Sequence, residues 1–303
     1  MPVESDGFIF FGGRRRARAF TTAHNVAKIT AIMSRHVKDF DAAPLDLTKI
    51  FDSVQSLLSA SSPREKLVVI LGATGTGKSA LALTLAQAFD TEIISADSMA
   101  VYKNFNVGTA KPTPSELQLV RHHMTDIIDA DERFSVGEFV RRAKPIITDI
   151  NRRGKIPIVA GGTGLYVQAL VEGYEFGAGK SFVSHYKRTG ELIYAARVFG
   201  LTAQRDEIYA RINRRTAQMF ANGLVDEVRG LLASGVSPTS QAMGGIGYKE
   251  TVEYLAGAAT LDETVAKVSQ ATRNFAKRQL TWFRRMKYIE WLKIFDALQR
   301  REV

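Results

Sequence analysis

Residues 67–81 read LVVILGATGTGKSAL, an apolar run, a glycine loop ending in Lys78-Ser79, and the start of a helix-forming stretch. The spacing GxxxxGK[S/T], here Gly72, Gly77, Lys78 and Ser79, is a strong signal when a strand precedes it and a helix follows. The loop between them, Ala73, Thr74, Gly75 and Thr76, turns backbone N–H groups toward an anion, and the helix start adds its positive dipole end. Lys78 supplies a point charge, and the Ser79 hydroxyl can ligate Mg²⁺. A merely tight glycine turn is the bland alternative, and the full strand–helix context argues against it. A second GKS, at 179–181, fails the test: Tyr174 stands where the first glycine is needed, and no strand precedes it.

Further strand–loop–helix units follow. TEIISADS is a short strand ending at Asp97, and KIPIVAGGTGLY is another that opens into glycines. Between them FSVGEFVRRAKPIITDINRRG has helical spacing, with Pro145 expected to kink or divide it. Such alternation predicts a parallel sheet with crossover helices. The fold class is therefore α/β, a P-loop NTPase-like parallel sheet, followed from about residue 201 by a mainly helical C-terminal part. Functional loops should gather at the carboxyl ends of the strands, where the glycine loop, Asp97 and GGTG (161–164) all fall.

Asp97 has three readings: Mg²⁺ ligand, general base, or cap of the next turn. Its place beside a phosphate loop favours chemistry, and Ser79 already offers a metal contact, so general base comes first. Thr163, in GGTG, ends a strand where glycines permit close approach of a ligand. Thr109 and Lys111, in NVGTAKP, sit in a polar loop, and Lys111 faces either phosphate or water. Arg211 and Arg215 lie one helical turn apart and form either an anion clamp or a solvated face. His122 and His123 are adjacent, which is poor ligand spacing, and no metal is assigned to them.

The 303 residues carry a net charge of +10, which suits a polyanionic partner and equally suits plain solubility. Zero cysteines exclude disulfides, zinc-thiolate sites and cysteine catalysis, and fit a reducing, cytoplasmic setting. No run of eighteen apolar residues indicates a membrane span. Residues 1–66 differ in texture from the rest: FIFFGG precedes an arginine run, LTKIFDSVQSLL suits a short amphipathic helix, and SASSPREK reads as a linker. A dispensable extension is weighed there against a targeting segment.

Several stretches together carry a resemblance. GATGTGKS, ISADSMAVYKNFNVGTAKP, HHMTDIIDADERFSVGEF, GKIPIVAGGTGLYVQALVEGY, RINRRTAQM, GIGYKE and AKRQLTWFRR occur in this order over about two-thirds of the chain. The ordered set resembles the tRNA dimethylallyltransferases, or tRNA isopentenyltransferases. The resemblance implies transfer of a dimethylallyl group from dimethylallyl diphosphate to N6 of adenosine 37 in the tRNA anticodon loop, with Mg²⁺ as cofactor. Diphosphate would be held by Gly72 to Ser79 and Arg215, with Ser79 on the metal. Asp97, Thr163 and Lys78 would be catalytic. Asp97, Ser98, Met99, Ala100, Thr163, Gly244, Gly245, Ile246, Gly247, Tyr248 and Lys249 would meet the tRNA. A monomer is expected.

The sequence departs from that family between Gly173 and Gly200. A helical insertion carrying a basic tRNA-gripping motif is replaced by YEFGAGKSFVSHYKRTGELIYAARVF, and Gly244 stands where relatives have a longer polar residue. The expected organisation is an unmatched extension (1–66), possibly a disordered one, then a P-loop core (67–173). A shortened insertion remnant (174–199) and a return to the core with a helical C-terminal part (200–303) complete it. Three other readings stay open: an adenylate prenyltransferase, a P-loop kinase or NTPase, and a tRNA-binding remnant.

Overall fold

The computed structural model describes residues 42–43, 47–174, 176 and 191–296. The second GKS and most of the shortened stretch lie outside them. The elements run β1 (Ala42–Ala43), α1 (Leu47–Ser59), β2 (Lys66–Gly72), α2 (Lys78–Ala88), β3 (Ile93–Ser95), α3 (Pro114–Leu119), β4 (His122–His123), α4 (Val136–Arg152) and β5 (Ile158–Gly161). They continue with α5 (Gly164–Val171), β6 (Ala195–Thr202), α6 (Arg205–Ala221), α7 (Leu224–Ala233), α8 (Tyr248–Leu255), α9 (Leu261–Phe283), β7 (Glu290–Lys293) and β8 (Phe295–Asp296).

Six strands form one parallel sheet in the order β4-β3-β5-β2-β6-β7, while β1 and β8 make a separate antiparallel pair. This is the P-loop NTPase-like α/β fold. Its central strand explains why LVVILG reads as an unbroken apolar run. Side chains alternate across the sheet, and here both faces are covered. Leu67, Val69 and Leu71 point into one core with Phe139 and Ile147 of α4 and Val167 and Leu170 of α5. Val68 and Ile70 point into the other with Leu81 and Leu85 of α2 and Phe199 and Leu201 of β6.

Pro145 neither divides nor ends α4, which is one helix of 17 residues with a Ser135 hydroxyl accepting from the Glu138 N–H at its start. In the helical part after residue 201, Gly223 at positive φ separates α6 from α7.

The shortened stretch was bounded at 199, yet β6 begins at Ala195 and pairs with β2 from Lys66↔Ala195 onward. Residues 195–199 thus belong to the core sheet, because β2 needs a partner on that side. The amphipathic stretch LTKIFDSVQSLL of the extension is helical. Helix α1 sits over β2 and β6 and buries Ile50, Phe51, Val54 and Leu57, an i, i+1, i+4, i+7 stripe, in the second core. Phe51 stacks on Phe89 with ring centroids 5.2 Å apart. Phe51→Ala is expected to cost about 3–5 kcal/mol, the usual range for emptying a buried aromatic site. Denaturant unfolding measures it; a loss below about 1 kcal/mol would show that α1 stands outside the cooperative unit.

Candidate functional site

The strand carboxyl ends meet in a cleft whose walls include Thr74, Lys78, Ser79, Asp97, Gly162 and Arg215. Each arrives for a local reason. Gly77 sits at φ 80° immediately before α2, a left-handed conformation that only glycine adopts cheaply, and it turns the chain so that Lys78 and Ser79 open the helix. Lys78 Nζ donates to the Ala73 carbonyl at 2.8 Å, and Thr76 Oγ1 donates to the same oxygen at 2.7 Å. Ala73 packs beneath Ile208 and Ile212 of α6 and Ala276 of α9, so the two C-terminal helices close over the loop.

Asp97 follows β3 and is half-buried. Its Oδ1 accepts from the Met99 N–H at 2.8 Å. The capping role and the chemical role are therefore compatible: the turn fixes one oxygen and so orients the carboxylate in the cleft. Thr163 is brought to it by the backbone. The Thr163 N–H donates to the Ala96 carbonyl at 3.1 Å, and Thr163 Oγ1 accepts from the Ser98 N–H at 3.0 Å. A Cβ at Gly161 would lie 2.2 Å from the Ala96 oxygen, so this approach of β5 to β3 requires glycine.

Electrostatics tie the charged groups together. Burial, aided by the Arg215 cation, pushes the Lys78 ammonium down to about 8, with Asp97 opposing. Burial also lowers Arg215, and Asp97 again opposes. Two desolvated cations facing one carboxylate leave excess positive charge in the cleft, which suits an anionic ligand.

Arg211, in contrast, is absent from the cleft wall and packs near the glycine loop, with its Cβ 3.8 Å from where a Cβ of Gly75 would lie. The two-arginine clamp reduces to Arg215. Lys111 borders the cleft, but its charge is already used. Its side chain is 5% exposed, and Nζ reaches Asp126 Oδ1 at 2.5 Å and the Tyr102 carbonyl at 2.5 Å. It braces its loop instead of facing phosphate or water. Thr109 Oγ1 likewise donates to the Phe105 carbonyl at 2.6 Å.

The loop holding these residues is anchored by a group the sequence did not single out. Glu227 of α7 accepts from the N–H groups of Asn106 (2.9 Å), Val107 (2.8 Å) and Gly108 (3.3 Å). It also accepts from the Tyr248 hydroxyl at 2.7 Å. Nothing in LVDEVRGLL distinguishes this glutamate from its solvated neighbours. His122 also lines the cleft, with Nδ1 2.9 Å from the Val120 carbonyl and its pKa lowered mainly by burial. His123 instead pairs with Glu92 at 2.7 Å, away from the cleft wall.

The DSMA turn and the 244–249 stretch touch. A Cβ at Gly245 would lie 2.5 Å from Met99 Cε, and Tyr248 is fully buried beside Phe105 with ring centroids 4.7 Å apart. Tyr248 is thus a core residue, whereas the Lys249 side chain is 53% exposed. Another cleft, lined by Leu57, Arg64 and Tyr194 among others, lies at the opposite end of β6 and gathers no comparable set of groups.

A sequence model described as IPP transferase matches residues 100–189 and 176–286. The chain belongs to the IPP transferase family. It is similar to the tRNA dimethylallyltransferase of Pelotomaculum thermopropionicum, 37% identical over 293 residues that span 78% of this chain and 93% of the relative. It is equally similar to that of Geobacter sulfurreducens, at 37% over 295 residues, 78% of this chain and 95% of the relative. In three dimensions it is similar to the tRNA isopentenylpyrophosphate transferase of Bacillus halodurans, with a TM-score of 0.69 and 36% identity over 76% of this chain and 90% of that one. Since 78% of 303 residues is about 236, the 293-residue alignment carries roughly 57 positions that this IPP transferase lacks. The two stretches matching the family model overlap at 176–189, the region of the shortened segment.

Proposed function

We propose that the chain transfers a dimethylallyl group from dimethylallyl diphosphate to N6 of adenosine 37 in tRNA. The observation that carries this reading is the convergence of Lys78, Arg215, the glycine loop and the oriented Asp97 carboxylate on one cleft. A P-loop NTPase or kinase also sets a carboxylate beside its phosphates, and the family match is what favours prenyl transfer over phosphate chemistry. Group transfer to a weakly nucleophilic amine needs both the cradle and the carboxylate.

The bond between the allylic carbon and the diphosphate oxygen breaks, and the leaving group keeps the electron pair. The N6 lone pair forms the new C–N bond, and Asp97 takes the N6 proton. The glycine-loop N–H groups not already donated to Gln279 or Ala73, with Lys78 and Arg215, stabilise the charge collecting on diphosphate as it leaves, an interaction stronger in the transition state than before it. Thr163, anchored to Ser98, keeps the carboxylate and the loop after β5 at a constant separation. The adenine must leave its stack to reach the cleft. The turn 97–100, against which the 244–249 stretch packs through Met99 and Gly245, would receive it beside Asp97.

The donor set suits magnesium. The Ser79 hydroxyl offers a hard oxygen, and among the described residues no cluster of three or more His, Cys, Asp or Glu forms a protein cage. Magnesium characteristically binds through one or two protein oxygens plus substrate phosphates. When bound, it offsets negative charge on the departing diphosphate.

Two results of the cleft's charge follow with signs. A bound diphosphate favours the protonated form of Lys78, whose folded value is about 8. Donor affinity is therefore expected to hold below that pH and to fall by up to about tenfold per pH unit above it. Calorimetric titration between about pH 7 and pH 9.5 measures this, and a flat profile would refute the role given to Lys78. Without ligand the sign reverses: the unfolded chain binds more protons between about 8 and 10.5, so the folded state gains stability as pH rises through that window.

The deciding assay incubates the protein with labelled dimethylallyl diphosphate and unmodified tRNA or AMP. Label at adenosine 37 supports the reading, with RNA binding that weakens steeply with salt. Label in AMP alone overturns it in favour of an adenylate prenyltransferase. Release of γ-phosphate from ATP without prenyl transfer overturns it in favour of an NTPase, and label in neither acceptor leaves a binding remnant.

A further inference from the structure

Helix α9 turns a stripe of Val268, Ala276, Gln279 and Phe283 toward the interior. A carboxamide on an apolar stripe needs partners, because an unpaired buried polar group is costly. Gln279 is 6% exposed, and both ends of its amide are used. Oε1 accepts from the Thr74 N–H at 2.9 Å, and Nε2 donates to the Gly162 carbonyl at 2.9 Å. Thr74 lies inside the glycine loop after β2, and Gly162 lies in the loop after β5, beside Thr163. The other side-chain bonds within the glycine loop are local, from Thr76 and Lys78 to Ala73. Gln279 instead joins two strand ends that lie 205 and 117 residues before it in sequence.

The packing makes room for this link. A Cβ at Gly162 would lie 2.2 Å from Gln279 Nε2, and one at Gly164 would lie 2.5 Å from Trp282 Cδ1. The helix rests on the GGTG backbone at two points where an added Cβ would displace the Gln279 amide or the Trp282 ring. Meanwhile Lys277, Arg278, Arg284 and Arg285 of the same segment are exposed. One helix thus shows a basic outer face to solvent and a hydrogen-bonding amide to the cleft.

We propose that Gln279 is a positioning residue for the prenyl-diphosphate site. Its carboxamide clamps the glycine loop to the loop after β5 and holds the phosphate cradle in register with Thr163 and Asp97. This rests on the reading that the cradle takes the donor's diphosphate. Preorganised N–H groups bind an anion well only if they are held in place before it arrives. Losing the clamp frees the Thr74 N–H and leaves the Gly162 carbonyl buried without its donor.

The test compares wild type with Q279L, which removes both hydrogen bonds, and Q279E, which removes the donor and adds a negative charge to the cleft. Binding of inorganic pyrophosphate with Mg²⁺ is measured by calorimetry, and binding of unmodified tRNA by filter retention. Pyrophosphate affinity is expected to fall at least about tenfold in Q279L and further in Q279E, with tRNA affinity changed less than about twofold. A pyrophosphate affinity within about twofold of wild type, or a parallel loss of tRNA affinity, overturns the proposal. Hydrogen exchange on the ligand-free wild type needs no variant: the Thr74 amide must be protected, and exchange at the rate of an open loop overturns the clamp. A wild type that binds pyrophosphate yet transfers no prenyl group to RNA sinks the proposed function alone, and the pyrophosphate comparison still decides the role of Gln279.

Discussion

Replacing Asp97 with asparagine is expected to lower the rate of prenyl transfer by about 10²–10⁴-fold, the usual contribution of a positioned general base. Asparagine is the informative change because its side-chain oxygen can still accept from the Met99 N–H, the bond that Asp97 Oδ1 makes at 2.8 Å. The turn over 97–100 therefore persists, and only proton acceptance is lost. Donor affinity should not fall, since the substitution removes a negative charge from the wall of an anion site. Single-turnover transfer and pyrophosphate calorimetry separate the two effects. A rate within about threefold of wild type would remove Asp97 from the chemistry, and a large loss of donor affinity with little rate effect would make it a metal ligand instead.

Lys78→Met is expected to reduce transfer by about 10²–10³-fold, comparable with the loss of one preorganised donor at a developing anion. The unbranched side chain fills the same buried path, so packing is preserved. The stability effect has the opposite sign from the activity effect. Burial and Arg215 hold the ammonium well below its ordinary range, so at neutral pH the fold carries the cost of that charge. Removing it should leave the thermal midpoint unchanged or higher. Differential scanning calorimetry beside the transfer assay checks the pair of outcomes, and a lowered midpoint would mean that the loss of activity reflects damage to the fold.

The phosphate loop, the parallel sheet and Asp97 were legible because each depends on short-range pattern. Glycines at set spacing, an apolar strand before them and a helix after them are local properties, and a strand-ending carboxylate falls at the functional edge of any such sheet. Lys111 and Arg211 were not legible. Both are cations near the right loops, and only packing decides that one is neutralised by Asp126 and the other stands off the cleft wall. Glu227 and Gln279 were missed for a related reason. Polar residues within a charged helix read as solvated, and their burial follows from what the helix lies against. For Gln279 a signal existed: it falls on the three-to-four spaced apolar stripe of Val268, Ala276 and Phe283, where an exposed amide has no reason to be.

The boundary at the shortened stretch follows the same division. RTGELIYAARVFGLT announces a strand, but its first core residue is set by registry with Lys66, a partner more than a hundred residues earlier in the chain. Helix α1 was visible as an amphipathic stripe, while its role as the cover of β2 and β6 was not.

By itself, then, the amino-acid order determined the anion-binding loop, the sheet class and the carboxylate beside it, since these follow from spacing along a few residues. Tertiary structure alone decided which cations keep their charge free for a ligand. It alone decided that one buried amide of α9 ties the loops after β2 and β5 together. Those outcomes depend on desolvation and on contacts between segments far apart in the chain; the local pattern marks Gln279 as buried but does not name its partners.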